Sequence, residues 1–409
     1  MKSETISKRQ ETWLNRNVVG MSITSLLSDA GHEMATAVLP GFLAVLGISP
    51  AILGFIEGVA DSTASFTKLG SGWISDRLGH RKPITVGGYF LTGASKALFA
   101  LAHGWPLVLV GRTLAWFGRG VRGPLRDAML ANSVPAESRG KAFGFHRAGD
   151  TIGAIIGPLL GVSLLAFLHS RTSDPSEPFR ITFLLTLVPG LGSGFAFAFL
   201  VREERDVPSE AKLWMAMRAL PASFRRFLWG VGIFGIGDFA RTLMILAATQ
   251  LLTARYGFAH AAEIAGFLYV GHNVVCAAAS YPVGALSDRM GRRGLLSIGY
   301  LSGALSALGF LGAFLWKLDT VVYLLALFSL SGFSIAVVDA LEGALTADLV
   351  ISNEIRGTAF GVLGTVNGVG DLAASAVVGT LWTAVSPVFA FGYASILMAL
   401  GGFVIYRAR

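Results

Sequence analysis

A chain of 409 residues with 53% hydrophobic and only 14% charged side chains is too apolar for a soluble protein of this size, and it reads as an integral membrane protein. The formal charge of +8 would suit a nucleic-acid binder, but the basic residues are scattered through short connections between apolar runs, which is a topology signal and excludes that class. The single cysteine, Cys276, lies in an apolar run and excludes an intramolecular disulfide.

The first 16 residues are polar, and the first apolar segment carries Asp29, His32 and Glu33, so no cleavable signal is expected. Twelve apolar segments of bilayer length are expected near 17–46, 51–75, 83–103, 105–126, 141–169, 180–201, 227–254, 262–287, 294–315, 319–344, 357–384 and 387–406. The longest polar connection runs from Arg202 to Arg226 and has Pro208 and Pro221 around a basic amphipathic piece, Ala211 to Leu220. It reads as a linker on the membrane surface. The expected organisation is therefore an N-terminal six-helix bundle over 1–201, a linker over 202–226 and a C-terminal six-helix bundle over 227–409. Twenty-three Lys and Arg fall on the side of both termini and the linker, against four on the other side (Arg171, Arg180, Arg255 and Lys317). By the positive-inside rule the termini and the linker are cytoplasmic.

Charges inside spanning helices are costly and by default face a bundle interior or a wet cavity. In helix 1, Asp29 and Glu33 share one face at i, i+4, with His32 beside them. Such a pair either handles a proton or locks helices together through a basic partner. Helix 2 carries Glu57, Asp61 and Lys68 on one stripe, facing a polar path or the seam between halves, and Lys96 in helix 3 is a lone cation suited to partner such a carboxylate. Helix 4 has Arg112, Trp116 and Arg119 on one face, and Arg112, which cannot lose its proton, needs an acid or an anionic substrate. In helix 5, His146, Arg147 and Asp150 precede Gly153-Ala154-Ile155-Ile156-Gly157-Pro158-Leu159-Leu160-Gly161, a small-residue stripe with a proline that allows close helix contact. Helix 7 has Asp238 with Arg241 at i+3. Asp339 and Glu342 are expected to pair with basic residues, and Trp116, Phe145, Phe239 and Tyr269 are candidates to shape a pocket.

The chain also repeats itself. Gly72-Trp73-Ile74-Ser75-Asp76-Arg77-Leu78-Gly79-His80-Arg81 returns 212 positions later as Gly284-Ala285-Leu286-Ser287-Asp288-Arg289-Met290-Gly291-Arg292-Arg293. Asp-Arg-x-Gly suits a tight turn in which the glycine takes positive φ. A second match joins Arg139-Gly140-Lys141-Ala142-Phe143-Gly144 to Arg356-Gly357-Thr358-Ala359-Phe360-Gly361 at an offset of 217. At these offsets Asn273 stands for Asp61 and Asn367 for Asp150, which places ionisable character in the first half. The halves are parallel repeats.

The charged loop resembles the signature loop of the major facilitator superfamily, and Gly153, Gly157, Pro158 and Gly161 resemble the antiporter motif of its exporters. The resemblance to bacterial proton-coupled efflux members implies an all-α integral membrane fold of twelve transmembrane helices in two pseudosymmetric six-helix bundles. It further implies a central cavity and a gating lock in which Gly72, Asp76, Arg77, Gly79, Arg81, Asp288 and Arg289 work with Arg126 and Asp127. The antiporter-like stretch would seal the interface between halves. A helix-4 arginine followed by a glycine marks many proton-coupled antiporters, but here Trp116 stands at the glycine's place. The expected function is secondary transport by alternating access, most simply proton-coupled export of a small organic molecule from a bacterial-type inner membrane. Proton-coupled import of a small organic anion is the alternative within transport, and a non-transporting membrane receptor is the alternative outside it. Candidate proton or substrate residues are Asp29, Glu33, Asp61, Arg112, Arg147, Asp150, Asp238 and Arg241. Partners are a small-molecule substrate, protons or another ion, and the lipid bilayer, with no nucleic acid, and the working unit is a monomer. No nucleotide-binding loop, metal-ligand spacing or enzyme constellation is present, so neither enzymatic activity, a metal nor a cofactor is expected.

Overall fold

A computed structural model describes residues 13–78, 80–135, 139–203, 220–350 and 353–407, without the side chains of 69, 72–78, 131, 139–141, 281, 285, 288–290, 347 and 353–358. The first half comprises α1 (Arg16–Val45), α2 (Pro50–Leu78), α3 (Lys82–Ala94), α4 (Ala97–Ala100), α5 (Trp105–Asn132), α6 (Arg139–His169), α7 (Glu177–Leu185) and α8 (Leu187–Leu200). The second comprises α9 (Ala222–Gly235), α10 (Arg241–Tyr256), α11 (Phe258–Met290), α12 (Arg292–Trp316), α13 (Val321–Leu349), α14 (Asn353–Ala384) and α15 (Pro387–Arg407). No strand occurs among the described residues. Among the described residues, seven segments are long and apolar enough to cross a bilayer by length and composition alone.

Three of the twelve expected segments are interrupted. The third breaks at Ser95 and Lys96 between α3 and α4, and the sixth at Thr186 between α7 and α8. The seventh breaks over 236–240, between α9 and α10. The last break overturns the expected continuous helix over 227–254 and with it the helical i, i+3 relation between Asp238 and Arg241. Its physical origin is local: Gly230, Gly232, Gly235 and Gly237 weaken helix propensity over one short stretch.

The repeated charged motifs are also more helical than a loop reading expects. α2 runs through Leu78, so Gly72, Asp76 and Arg77 lie in its last turns with their side chains outside the described ones, and Gly79 lies outside the described residues. The second copy behaves alike: Asp288 and Arg289 belong to α11, and the turn is confined to Gly291, at φ 86°, before α12 begins at Arg292. Only a glycine adopts that backbone without strain. In the first copy, the amides of Arg81 and Lys82 donate to the Glu203 carboxylate, the latter at 2.9 Å, which caps the start of α3 with the first residues of the linker. The amphipathic piece of the linker lies outside the described residues except for Leu220.

Within the first half, α1 packs along α6 and α8, and α2 along α5; within the second, α12 packs along α13 and α15. The halves meet where α2 packs on α14, α6 on α11 and α1 on α10. At the end away from the termini the seam is tight. The Ala51 amide donates to Thr383 Oγ1 at 2.9 Å, His169 Nδ1 lies 2.8 Å from Glu263 Oε1, and Gly379 leaves no room for a side chain against the Pro50 backbone.

Candidate functional site

Between the halves lies a cavity of about 340 Å³. α1, α2, α5 and α6 supply one wall; α10, α11 and α13 supply the other. In α1, α2, α5, α6 and α11 the polar lining residues recur about one turn apart on the face turned inward. The cavity's rim includes Arg147 and Asp339, whose side chains are 67% and 51% exposed. Both lie on the terminal side of the wall, so the cavity opens toward the end that carries the termini.

Arg112 reaches Glu57 with two nitrogens, Nε at 3.1 Å and Nη2 at 3.0 Å, and both converge on the same oxygen, Oε2. Its Nη1 donates to Thr36 Oγ1 at 3.2 Å. Both ions are almost wholly buried, so the acid that Arg112 requires is Glu57 of α2. Arg119 Nη1 lies 3.3 Å from Asp29 Oδ1, close enough for an ion pair though not aligned as a hydrogen bond. Trp116 separates the two arginines, with guanidinium carbons 5.7 Å and 5.3 Å from its ring centre and His32 edge-on at 4.9 Å. Trp116 therefore spaces Arg112 and Arg119 along α5, so that each meets a different acid.

Glu33 differs from the other acids of the first half. Its Oε2 accepts a hydrogen bond from Tyr269 OH at 2.8 Å, from α1 across the cavity to α11. Nearby, Asn273 Nδ2 donates to the Ala154 carbonyl at 2.8 Å, again across the seam. At the rim Arg147 lies 3.8 Å from Asp150 and 3.7 Å from Asp339 of the other half, while His146 contacts Asp150 at 3.7 Å and Ser25 at 2.7 Å.

Of the eight candidates read from the sequence, Asp29, Glu33, Asp61, Arg112, Arg147, Asp150 and Arg241 line this cavity; Asp238 lies in the break before α10 and does not. Glu57, Arg119 and Tyr269 belong with them. The i, i+4 spacing of Glu57 and Asp61 and the i+7 spacing of Arg119 from Arg112 were the available signals. Lys96 does not partner a carboxylate: its side chain is buried and its Nζ has no hydrogen-bond partner among the described residues. Glu342 is bonded by Tyr300 OH at 2.6 Å and Asn367 Nδ2 at 2.7 Å, and it makes no ion pair among the described residues. Asp339 does pair with a base, Arg147.

One expectation for the motif residues changes, while the expected gating partners Asp76, Arg77, Asp288 and Arg289 have side chains outside the described ones. Arg126 pairs with its neighbour Asp127 at 2.9 Å and donates to Ser25 at 3.2 Å. The buried Arg122 donates to Ser28 at 2.8 Å and covers the Tyr89 ring. The glycines of the antiporter-like stretch face their own half. A Cβ at Gly153 would meet the Leu26 carbonyl and lie 3.2 Å from the Asp29 Cβ, one at Gly157 would strike the Ala30 carbonyl, and one at Gly161 would lie 2.9 Å from Met34. The stripe seats α1 and so positions Asp29, while the contacts of α6 with the other half include Arg147, Ala154, Val162 and His169. No group of three or more potential metal ligands occurs among the described residues.

The family model described as Major Facilitator Superfamily matches residues 21–258 and again 230–409. The chain is 31% identical over 395 residues to an uncharacterized MFS-type transporter of Methanocaldococcus jannaschii, covering 96% of this chain and 94% of that one. It is 24% identical over 156 residues to the quinolone resistance protein NorA of Staphylococcus aureus, covering 38% of this chain and 40% of NorA. A solved POT family transporter in complex with 5-aminolevulinic acid superposes with a TM-score of 0.76 at 12% identity, over 97% of each chain. Two family matches laid over two helical halves, with a cavity at their junction, place this chain in the major facilitator superfamily of membrane transporters.

Proposed function

We propose that the chain couples proton movement to the export of a small organic molecule by alternating access. The carrying observation is the bond between Glu33 and Tyr269, which ties an ionisable group of one half to the other half inside the cavity. A proton on Glu33 removes the charge that strengthens this bond, and so changes the relative stability of the two rocking states. Asp29 and Glu57 are compensated by arginines of their own half and have no such direct grip on the partner half. In this reading Glu33 carries the proton, while Asp29, Asp61, Asp150, Arg112, Arg147 and Arg241 form the polar path around the substrate.

The positive-inside distribution supports a cytoplasmic-membrane placement with both termini inside, so the cavity faces the cytoplasm, the state in which an exporter loads. The export direction is supported by the partial match to NorA. Domains follow the sequence reading, 1–201 and 227–409 about the linker 202–226, with the helix ends that carry Asp76 and Asp288 as gating elements and a monomer as the working unit. A second reading, proton-coupled import of an organic anion, draws on Arg241, which makes no ion pair or hydrogen bond among the described residues.

The test is transport in proteoliposomes under an imposed pH gradient, with internal pH followed by a dye. Outward substrate movement against proton entry supports export, and inward movement with protons supports the second reading. Glu33→Gln is expected to abolish proton movement. If Glu33→Gln still couples, Glu33 is not the carrier and Asp61 or Asp150 takes its place.

A further inference from the structure

We infer that the transported molecule carries a charged amine, held by Glu57 and Asp61 of α2; the inference rests on the transport reading above. Six carboxylates line the cavity, against four arginines and no lysine. The arginines are largely spoken for: Arg119 by Asp29, Arg112 by Glu57, and Arg147 by Asp150 and Asp339. Arg241 has no ion-pair partner among the described residues, but Asp61, Asp238 and Asp371 all lie in its electrostatic field, which partly compensates its charge.

The acids are less completely met. Because both contacts from Arg112 fall on Glu57 Oε2, Glu57 Oε1 is buried with no hydrogen-bond partner among the described residues, although the side chain is only 2% exposed. Asp61, one turn further along the same face, makes no hydrogen bond or ion pair through its carboxylate among the described residues. Four further atoms on the cavity wall, His32 Nδ1, Trp116 Nε1, Arg119 Nη1 and Thr242 Oγ1, are likewise buried without a hydrogen-bond partner among the described residues, although Arg119 keeps its ion pair with Asp29. Buried polar atoms are normally satisfied, and leaving one unsatisfied is costly. A carboxylate oxygen can be satisfied only by a donor. An alkylammonium presents three donors and one positive charge, enough to reach Glu57 Oε1 and Asp61 together and to offset the excess of carboxylates. A carboxylate or phosphate would instead add negative charge to a wall on which carboxylates already outnumber arginines.

The test uses purified full-length protein in detergent and three probes with one carbon skeleton: butylammonium, γ-aminobutyrate and butyrate. At saturation the two amines are expected to raise the unfolding midpoint by roughly 2–4 °C and butyrate to leave it unchanged. Asp61→Asn removes the carboxylate without breaking a recorded bond and is expected to abolish the amine response; Asp61→Glu restores it. Asp319→Asn, at a surface ion pair with Arg255, leaves it intact. Stabilisation by butyrate alone, by none of the probes, or by the amines even in Asp61→Asn overturns the inference. These outcomes say nothing about proton movement in liposomes, and loss of proton coupling in turn leaves the amine response standing, so the two readings fail separately.

Discussion

The two walls of the cavity descend from one repeated pattern and use it differently. In the first half polar residues meet as ions: Arg112 with Glu57 and Arg119 with Asp29. In the second half the corresponding positions hold amides and phenols. Asn367, which stands where Asp150 stands in the first half, donates to Glu342, and Tyr300 donates to the same carboxylate. Asn273, the counterpart of Asp61, spends its amide on the Ala154 carbonyl across the seam. Neutral donors fix a helix in place without responding to a gradient, whereas ion pairs rearrange when a proton or a charged cargo arrives. In the proposed mechanism the first half would therefore carry most of the charge-sensitive chemistry, and the second half, apart from Arg241 and Asp339, would read it through Tyr269.

The sharpest way to break this contrast is to orphan an ion in the first half. Glu57→Gln leaves the Arg112 guanidinium buried without its charge partner, and the expected cost is about 3–5 kcal/mol, because removing one member of a buried pair exposes the full desolvation penalty of the other. Thermal unfolding and folded yield in detergent measure it; a variant as stable as the parent would mean that Arg112 finds another anion. Tyr269→Phe comes next. It removes the donor to Glu33 at a cost of about 1.5–3 kcal/mol in the state where the bond exists, the range for hydrogen bonds to a charged group. The inward-facing population should fall, with fold and yield unaffected, and proton movement should lose its dependence on the substrate. Asn367→Ala strikes the second half. It deprives Glu342 of one of two donors, so a loss of about 1–2 kcal/mol in stability is expected with coupling retained. If Asn367→Ala instead uncouples transport, the division of labour between the halves is wrong.

Much of this was legible in the sequence because it follows from period and cost. A charged residue in an apolar helix must find a wet or paired place, so Asp29, Glu33, Asp61, Arg112, Arg147, Asp150 and Arg241 could be assigned to a cavity before any coordinates. What a helix period cannot give is the partner on another helix. Glu57 as the acid for Arg112 and Tyr269 as the donor to Glu33 are relations between α2 and α5 and between α1 and α11, set by packing. The exporter-like glycines misled for the same reason: small residues announce a close helix contact but not which helix, and here it is α1 of the same half. The break at 236–240 was available in the glycine density before Asp238, but an apolar run of bilayer length concealed it, since hydropathy counts oil and is blind to backbone continuity.

The smallest expected effect concerns the seal that keeps the two walls closed at their far end, and the chain carries its own reporter for it. Cys276 is the single cysteine in the sequence and it lines the cavity. In the parent protein an impermeant maleimide should label it from the side of the termini and not from the other. The bond between His169 and Glu263 joins α6 to α11 at that far end, with both side chains largely buried. Removing the carboxylate with Glu263→Gln costs the closed state about 0.5–1 kcal/mol, within the net contribution of an ordinary intramolecular hydrogen bond. That shift corresponds to a roughly two- to fivefold rise in the fraction open to the far side, and labelling from that side should accelerate by the same factor. The ionic pairs of the first half are untouched by this change, so the amine response at Asp61 should persist. Faster labelling with that response intact would show that the seal and the charge-sensitive wall are separable parts; unchanged labelling would assign the seal to the backbone contact of α2 with α14 alone.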